Sequence, residues 1–218
     1  MSPKRVAGLV LAGGQSARFG SNKSMAVLRN RPLLDWAVSN LEPVVTKVAI
    51  STVQHSASEH YAREKRYLVL HDSVSNFLGP LAGILSGLEW AASEGFDLIV
   101  SQPCDVPIVP KHVLTELIDA SAGCRIVHVC ANGSVEPLCA IWPVAFGAKL
   151  RAILDSGQHP AVQGVQELER ARAVAYSGTD AFQNINTTSD LAALEAKLAE
   201  LDVYSQQQVH ECRNHSII

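Results

Sequence analysis

The chain has 218 residues, 47% of them apolar, with 18 Lys and Arg against 21 Asp and Glu, a formal net charge of −3. That length and apolar share suit one large α/β domain with a real core and exclude disorder over most of the chain, while the lack of a global positive field argues against a non-specific nucleic-acid binder. The longest apolar stretches, residues 6–12 and 96–100, fall far short of the roughly 18 residues that span a bilayer, so no membrane span is expected.

At the N-terminus, Lys4 and Arg5 before an apolar run mimic a secretory signal, but the run is short, contains a glycine and leads into Gln15 and Arg18 without a small-residue cleavage site. It reads instead as a first strand over residues 6–11, followed by a glycine-rich loop. Pro32 stands where a first helical turn would start, and Leu33, Leu34, Trp36, Ala37, Val38 and Leu41 mark one apolar helical face. Residues 46–52 predict a second strand and residues 67–70 a third, ending at His71-Asp72. Leu81, Ile84, Leu85 and Leu88 give the next helix its buried stripe, with Gly83 and Gly87 on a face expected to approach another backbone closely. Residues 96–100 form a fourth strand, residues 102–107 its exit loop and residues 111–120 the helix that follows.

Segments 125–130 and 136–142 flank Asn132-Gly133, a strong hairpin signal, so an antiparallel insertion is expected there. Helical patterns over residues 145–154 and 162–169 and a short strand over residues 173–176 complete the body. The last helix shows Leu191, Leu194, Leu198 and Leu201 at 3/4 spacing, with Thr187 or Ser189 able to cap it. Alternation of strand and helix predicts βαβ units. The expected fold is a single α/β domain over residues 1–201, a Rossmann-like three-layer sandwich with a mostly parallel sheet and a small antiparallel insertion. A polar C-terminal tail over residues 202–218 is expected to fray. Cys104, Cys124, Cys130, Cys139 and Cys212 are odd in number and contain no C-x-x-C pair, which predicts reduced, mostly buried thiols and a cytoplasmic location.

The chemistry concentrates after the first strand, in Leu11-Ala12-Gly13-Gly14-Gln15-Ser16-Ala17-Arg18-Phe19-Gly20-Ser21-Asn22-Lys23. Glycines there allow backbone N–H groups to form an anion-binding concavity, and Arg18 and Lys23 add two cations, a combination suited to a polyphosphate. The loop is neither a Walker A motif, since Gly20 and Lys23 are separated by two residues, nor a dinucleotide G-x-G-x-x-G, since Gly13 and Gly14 are adjacent. Asp105 lies at the exit of a predicted central strand, where parallel α/β sheets place their ligands, and its carboxylate with phosphate oxygens and waters would suit Mg²⁺.

The loop resembles the signature of sugar-nucleotidyltransferase-like proteins. Gly79-Pro80-Leu81-Ala82-Gly83, Pro103-Cys104-Asp105-Val106-Pro107, Glu136-Pro137 and Asn184-Ile185-Asn186-Thr187, in this order and spacing, narrow the resemblance to the molybdenum cofactor guanylyltransferases, over residues 6–200. The resemblance implies Mg²⁺-dependent transfer of GMP from GTP to Mo-molybdopterin, giving molybdopterin guanine dinucleotide and pyrophosphate, with transient contact to other proteins of molybdenum cofactor biosynthesis. It implies catalytic roles for Arg18, Lys23 and Asp105, with Asp105 as metal ligand. Leu11, Ala12, Gly13, Gly14, Lys23, Ser51, Asp72 and Asp105 would bind nucleotide, and Asn184 and Asn186 the acceptor.

Two departures stand out. Asn22 replaces the aspartate that usually precedes the loop lysine, and the segment from Gly157 to Val162, which includes His159, lacks the arginines that relatives often carry there. A cytidylyltransferase acting on the same pterin, another small-substrate nucleotidyltransferase and a non-catalytic nucleotide-binding protein are the competing readings.

Overall fold

The computed structural model describes residues 4–13, 22–72, 79–122, 125–158, 160–178 and 181–214, with side chains as far as Leu201. Along them run β1 (Val6–Leu11), β2 (Val27–Leu28), β3 (Arg31–Pro32), α1 (Leu33–Leu41), β4 (Val48–Ser51), α2 (Ala57–Glu64), β5 (Leu68–Leu70), α3 (Pro80–Ser93), β6 (Leu98–Pro103), α4 (Lys111–Ala120), β7 (Val127–Ala131), β8 (Ser134–Pro143), α5 (Gly147–Asp155), α6 (Val162–Leu168), β9 (Arg172–Tyr176) and α7 (Thr188–Asn214). No helix among the described residues is long and apolar enough to cross a membrane.

Seven strands form one sheet in the order β5-β4-β1-β6-β8-β7-β9. All pairs are parallel except those of β8, which runs antiparallel to both β6 and β7. The expected hairpin is therefore present, and it is built into the main sheet. Its turn residues Asn132 (φ 51°) and Gly133 (φ 82°) both lie in the left-handed region, as a tight hairpin turn requires. A separate two-stranded ladder, β2 with β3, has no counterpart in the sequence expectations.

Both faces of the sheet are covered, which is why β1 and β6 are buried along their whole length. Val6, Val10, Ile50 and Val100 pack with α1 and α4 on one side, while Ala7, Leu9, Ala49 and Ile99 pack with α3, α5 and α6 on the other. Gly83 and Gly87 bring α3 close, as expected: an added Cβ would lie 2.5 Å from Ser51 Oγ at Gly83 and 2.5 Å from a Leu9 methyl at Gly87. The close partners are strand side chains, not strand backbone.

The chain moves from β1 outward to β4 and β5, then returns to the opposite side of β1 to form β6. Such a reversal opens a crevice at the carboxyl ends of the two strands where it occurs. Those ends are level, because Leu11 pairs with both Ser51 and Pro103, and Ser51 with Leu70. A third apolar cluster, Leu28, Leu33, Ile185 and Leu194 with Trp36, Leu191 and Leu198 against it, fastens α7 beside this crevice.

Besides the β2–β3 ladder, three elements differ from expectation. β6 continues through Ser101, Gln102 and Pro103, residues whose polarity suggested a loop. The buried Ser101 hydroxyl donates to Leu138 O (2.7 Å) and accepts from Trp142 Nε1 (2.9 Å), and Gln102 Nε2 donates to Val106 O (3.0 Å). These bonds satisfy Ser101 and the Gln102 amide nitrogen inside a central strand, while Gln102 Oε1 is buried without a hydrogen-bond partner among the described residues. Second, α2 was not anticipated, although Ser56-Ala57-Ser58-Glu59 carries the capping-box pattern: Ser56 Oγ accepts from Glu59 N (3.1 Å), and the Glu59 carboxylate reaches back one residue further, to His55 N (2.5 Å). Third, α7 runs on to Asn214, past the end of the leucine repeat, where a frayed tail was expected.

Candidate active site

Lys23 follows the glycine-rich segment after β1 and opens a short 3-10 turn, Lys23–Met25. Its ammonium donates to Asp105 Oδ2 (2.7 Å) and to Asn186 Oδ1 (2.8 Å). Three segments far apart in sequence thus meet at one nitrogen: the end of the loop after β1, the turn after β6 and the approach to α7. An ammonium has three N–H donors, so one remains for an incoming anion. The pair is partly shielded, with side-chain exposures of 13% for Lys23 and 26% for Asp105.

Asp105 owes its place to the turn that ends β6. Cys104 N donates to Leu11 O (3.1 Å), and Ile185 N donates to Asp105 O (2.8 Å). Asn184 and Asn186, flanking Ile185, lie exposed on either side of that backbone bond. The segment is fixed at its far end by Asp190, whose Oδ2 accepts from Asn186 N and Thr187 N (both 2.8 Å), while Thr187 Oγ1 caps α7 by accepting from Asp190 N (3.1 Å). The backbone N–H of Asn186, with the Thr187 contacts, holds the Asp190 carboxyl below its usual range. Of the two capping residues expected for this helix, Thr187 is the one that makes the bond.

Sequence reasoning missed Glu136 as a site residue. Register places it opposite Val129 on the β8 hairpin, next to a bulge in β8 that leaves residues 137–139 between the pairings with His128 and Val129, and Asn184 hydrogen-bonds its carboxylate. Burial pushes the Glu136 carboxyl up, and the charge of Asp105 adds to the rise while the Asn184 bond opposes it. The signal available in sequence was an acid next to proline in a hairpin, which alone does not reveal its neighbours.

At the carboxyl end of β1, Ala12 N donates to Ser51 O (2.8 Å) and Leu11 O already accepts from Cys104 N. Leu11 and Ala12 therefore contribute chiefly to building the sheet end, and exposed Gly13 is the first residue beyond it. Ser51 is buried under α3, its hydroxyl facing Gly83. Asp72 lies two residues past β5 on the same edge, and desolvation pushes its carboxyl up against the opposing pull of His71. Gly14, Arg18 and His159 lie outside the described residues.

No group of three or more His, Cys, Asp and Glu side chains able to hold a metal ion exists among the described residues. A single part-exposed carboxylate beside the strand-end crevice still fits Mg²⁺, which takes one or two protein carboxylates and completes its shell with phosphate oxygens and water. Cys104 is not a reactive thiol: desolvation first, and Asp105 second, push it up to about 12. Cys104, Cys130 and Cys139 are all free, and Cys104 and Cys139 are buried.

Residues 8–173 match the family described as the MobA-like NTP transferase domain. The chain is 36% identical over 201 residues to a molybdenum cofactor guanylyltransferase of Cereibacter sphaeroides, covering 89% of this chain and 97% of the relative. It is 35% identical over 192 residues to the protein of that name from Acidiphilium cryptum, covering 86% and 93%. In fold it is similar to the crystal structure of molybdopterin-guanine dinucleotide biosynthesis protein A from Archaeoglobus fulgidus, at a TM-score of 0.69 and 23% identity over 89% of this chain and 99% of the other. With the strand-end crevice, the loop lysine and the Asp105 turn all inside or bordering the matched span, the chain belongs to the MobA-like NTP transferase family.

Proposed function

We propose that this chain is a molybdenum cofactor guanylyltransferase, which transfers GMP from GTP to the phosphate of Mo-molybdopterin and releases pyrophosphate. The observation that carries the reading is Lys23 held between Asp105 and Asn186 at the crevice of a parallel sheet. The names and full-length coverage of the relatives support guanine and the pterin as substrates.

The nucleophile is a phosphate monoester, largely dianionic above about pH 6, so the reaction needs no general base. An oxygen of that monoester bonds to the α-phosphorus as the bond to the bridging β-oxygen breaks, and pyrophosphate departs with the electron pair. The enzyme's work is alignment and neutralisation of anion meeting anion. Lys23 supplies a cation at the triphosphate, and Arg18 a second from the loop before it. Mg²⁺ held by Asp105 would supply a further positive charge on the phosphate oxygens. Asn184 and Asn186, fixed from three sides, orient the acceptor through their amides, and the backbone from Gly13 onward, with Ser51 and Asp72, holds the nucleoside. A cytoplasmic location, where free thiols stay reduced, fits this reading, as does transient contact with proteins that deliver the unstable acceptor.

Competition among GTP, ATP and CTP with Mg²⁺ and the molybdopterin acceptor tests it, with the dinucleotide products resolved. Adenine reverses donor and acceptor at two positions where guanine bonds to backbone, each mismatch costing about 1–3 kcal/mol, so GTP is expected to lead ATP by roughly 30-fold or more in kcat/KM. Preference for CTP would move the enzyme to the cytidylyltransferases, and failure to release pyrophosphate would make it a binding protein.

A further inference from the structure

Lys23 can serve the phosphates only if its backbone is held still, and its own turn is too small to do this. The turn has two backbone bonds, Met25 N to Asn22 O (2.9 Å) and Ala26 N to Lys23 O (3.0 Å). One short 3-10 turn fixes several dihedrals for very few bonds and is marginal by itself. Side chains on both sides of Lys23 supply the rest. The buried Ser24 hydroxyl donates to Asn22 Oδ1 (2.6 Å), and Asn22 Nδ2 donates to Ser58 Oγ (3.2 Å) on α2. Asn22 is therefore a bridge that accepts at one end and donates at the other.

The far end of the bridge is a cluster of hydroxyls. Ser58 Oγ lies 2.6 Å from Thr52 Oγ1 and 3.0 Å from Ser56 Oγ, and Thr52 Oγ1 is 3.1 Å from Ser56 Oγ. Ser56 gives its proton to Val53 O (2.6 Å), which leaves two hydroxyl protons, those of Thr52 and Ser58, to link this triangle. Because Asn22 Nδ2 donates to Ser58 Oγ, Ser58 accepts at this contact and its own proton serves Thr52 or Ser56. A carboxamide can donate here and leave the Ser58 proton in the hydroxyl triangle, whereas a carboxylate could only accept that proton and would draw it out of the triangle. Both Ser58 and Thr52 are at least 98% buried, and Thr52 directly follows Ser51, so the bridge ties the loop lysine to the strand end where the nucleoside is placed.

We propose that Asn22 is the positioning residue for Lys23, acting through Ser24 and Ser58 and never touching substrate itself. Lys23 has this task only if phosphates bind where the proposed function puts them. The probe is therefore inorganic triphosphate with Mg²⁺, which carries no base and no pterin; an error in base or acceptor would appear in the nucleotide competition and leave this measurement intact.

The experiment is a double-mutant cycle on triphosphate affinity, read by calorimetry. Asn22→Ala alone is expected to weaken binding about 5- to 10-fold, while in a Lys23→Ala background, where the cation is already gone, it should change affinity less than about 2-fold. Ser58→Ala, which removes the same bridge from the α2 end, is expected to repeat the pattern and keeps the test readable should Asn22→Ala fold poorly. Equal losses in both backgrounds would show that Asn22 acts through general stability and would overturn the inference. Unchanged binding in both single variants, or in Lys23→Ala itself, would overturn it as well.

Discussion

Asp105 is an acid whose side chain the fold hardly uses: the neighbouring segment is held by its backbone carbonyl, and its carboxylate faces Lys23. Asp105→Asn keeps an acceptor for Lys23 and removes the charge proposed to hold Mg²⁺. Transfer is expected to fall about 100-fold or more while the melting temperature of the nucleotide-free protein stays within a few degrees of its original value. Strong destabilisation of the apo protein would show the carboxylate to be structural instead. Glu136 behaves in the opposite way. Its carboxyl is raised above the ordinary glutamate value by burial and by Asp105, so the ionised form weakens the native state, and that weakening sets in as pH rises through the raised value. Glu136→Gln keeps an acceptor for Asn184 without the charge. It is expected to melt higher than the native sequence at pH 7, with the difference vanishing below pH ~4, where the native carboxyl is protonated as well. A difference that persists unchanged in acid would remove the electrostatic explanation. Lys23, Asp105 and Asn186 were legible in sequence because each belongs to a compact motif. Glu136 was not, because a hairpin register, with a bulge at residues 137–139 of its own strand, decides which side chain comes near Asp105.

At the scale of elements, apolar periodicity located β1 and α4 to the residue, since both bury a regular face, and it failed where polar groups are buried in pairs. The carboxyl end of β6 holds Ser101 and Gln102 inside the sheet through side-chain bonds to Leu138 and Val106, partners that lie on other segments and leave no trace in a hydropathy pattern. α2 is mostly polar and carried its signal in its cap. α3 shows the reverse case, since its two inward glycines were readable and their reason became clear only with the strand side chains in place. Gly83→Ala would drive a methyl to 2.5 Å from Ser51 Oγ, and Ser51, only 3% exposed, has little room to give way. Overpacking of this kind costs about 1–3 kcal/mol. Because Ser51 ends β4 beside the crevice proposed to hold the nucleotide, KM for GTP is expected to rise along with the loss of melting temperature. Gly87→Ala meets Leu9 equally closely, deeper in the sheet, and is expected to lower the melting temperature with KM unchanged. Equal KM values for the two variants would separate Ser51 from the nucleotide.

For the whole molecule, the decisive packing is not within the sheet sandwich but between it and α7. Leu191, Leu194 and Leu198 close over Leu28 and Leu33, and Ile185 belongs to the same cluster, so the helix that seals this small core also fixes the Asn184–Asn186 segment from behind. Asp190, in its first turn, fixes that segment through the backbone of Asn186 and Thr187. The functional unit should therefore end where the leucine repeat ends. A chain stopping at Leu201 is expected to keep its melting temperature and its transfer rate. A chain stopping at Thr187 exposes Leu28 and Leu33, both fully buried in the intact protein, at a cost of about 1.5–3 kcal/mol for each side chain so uncovered. It also frees Asn186 from Asp190, and with it one of the two acceptors that hold the Lys23 ammonium. Loss of stability and loss of transfer should then appear together in the shorter chain and in neither property of the longer one. If the chain ending at Thr187 bound triphosphate and transferred GMP at the native rate, α7 would be a passenger and the placement of Asn186 would have to come from Ile185 and β6 alone.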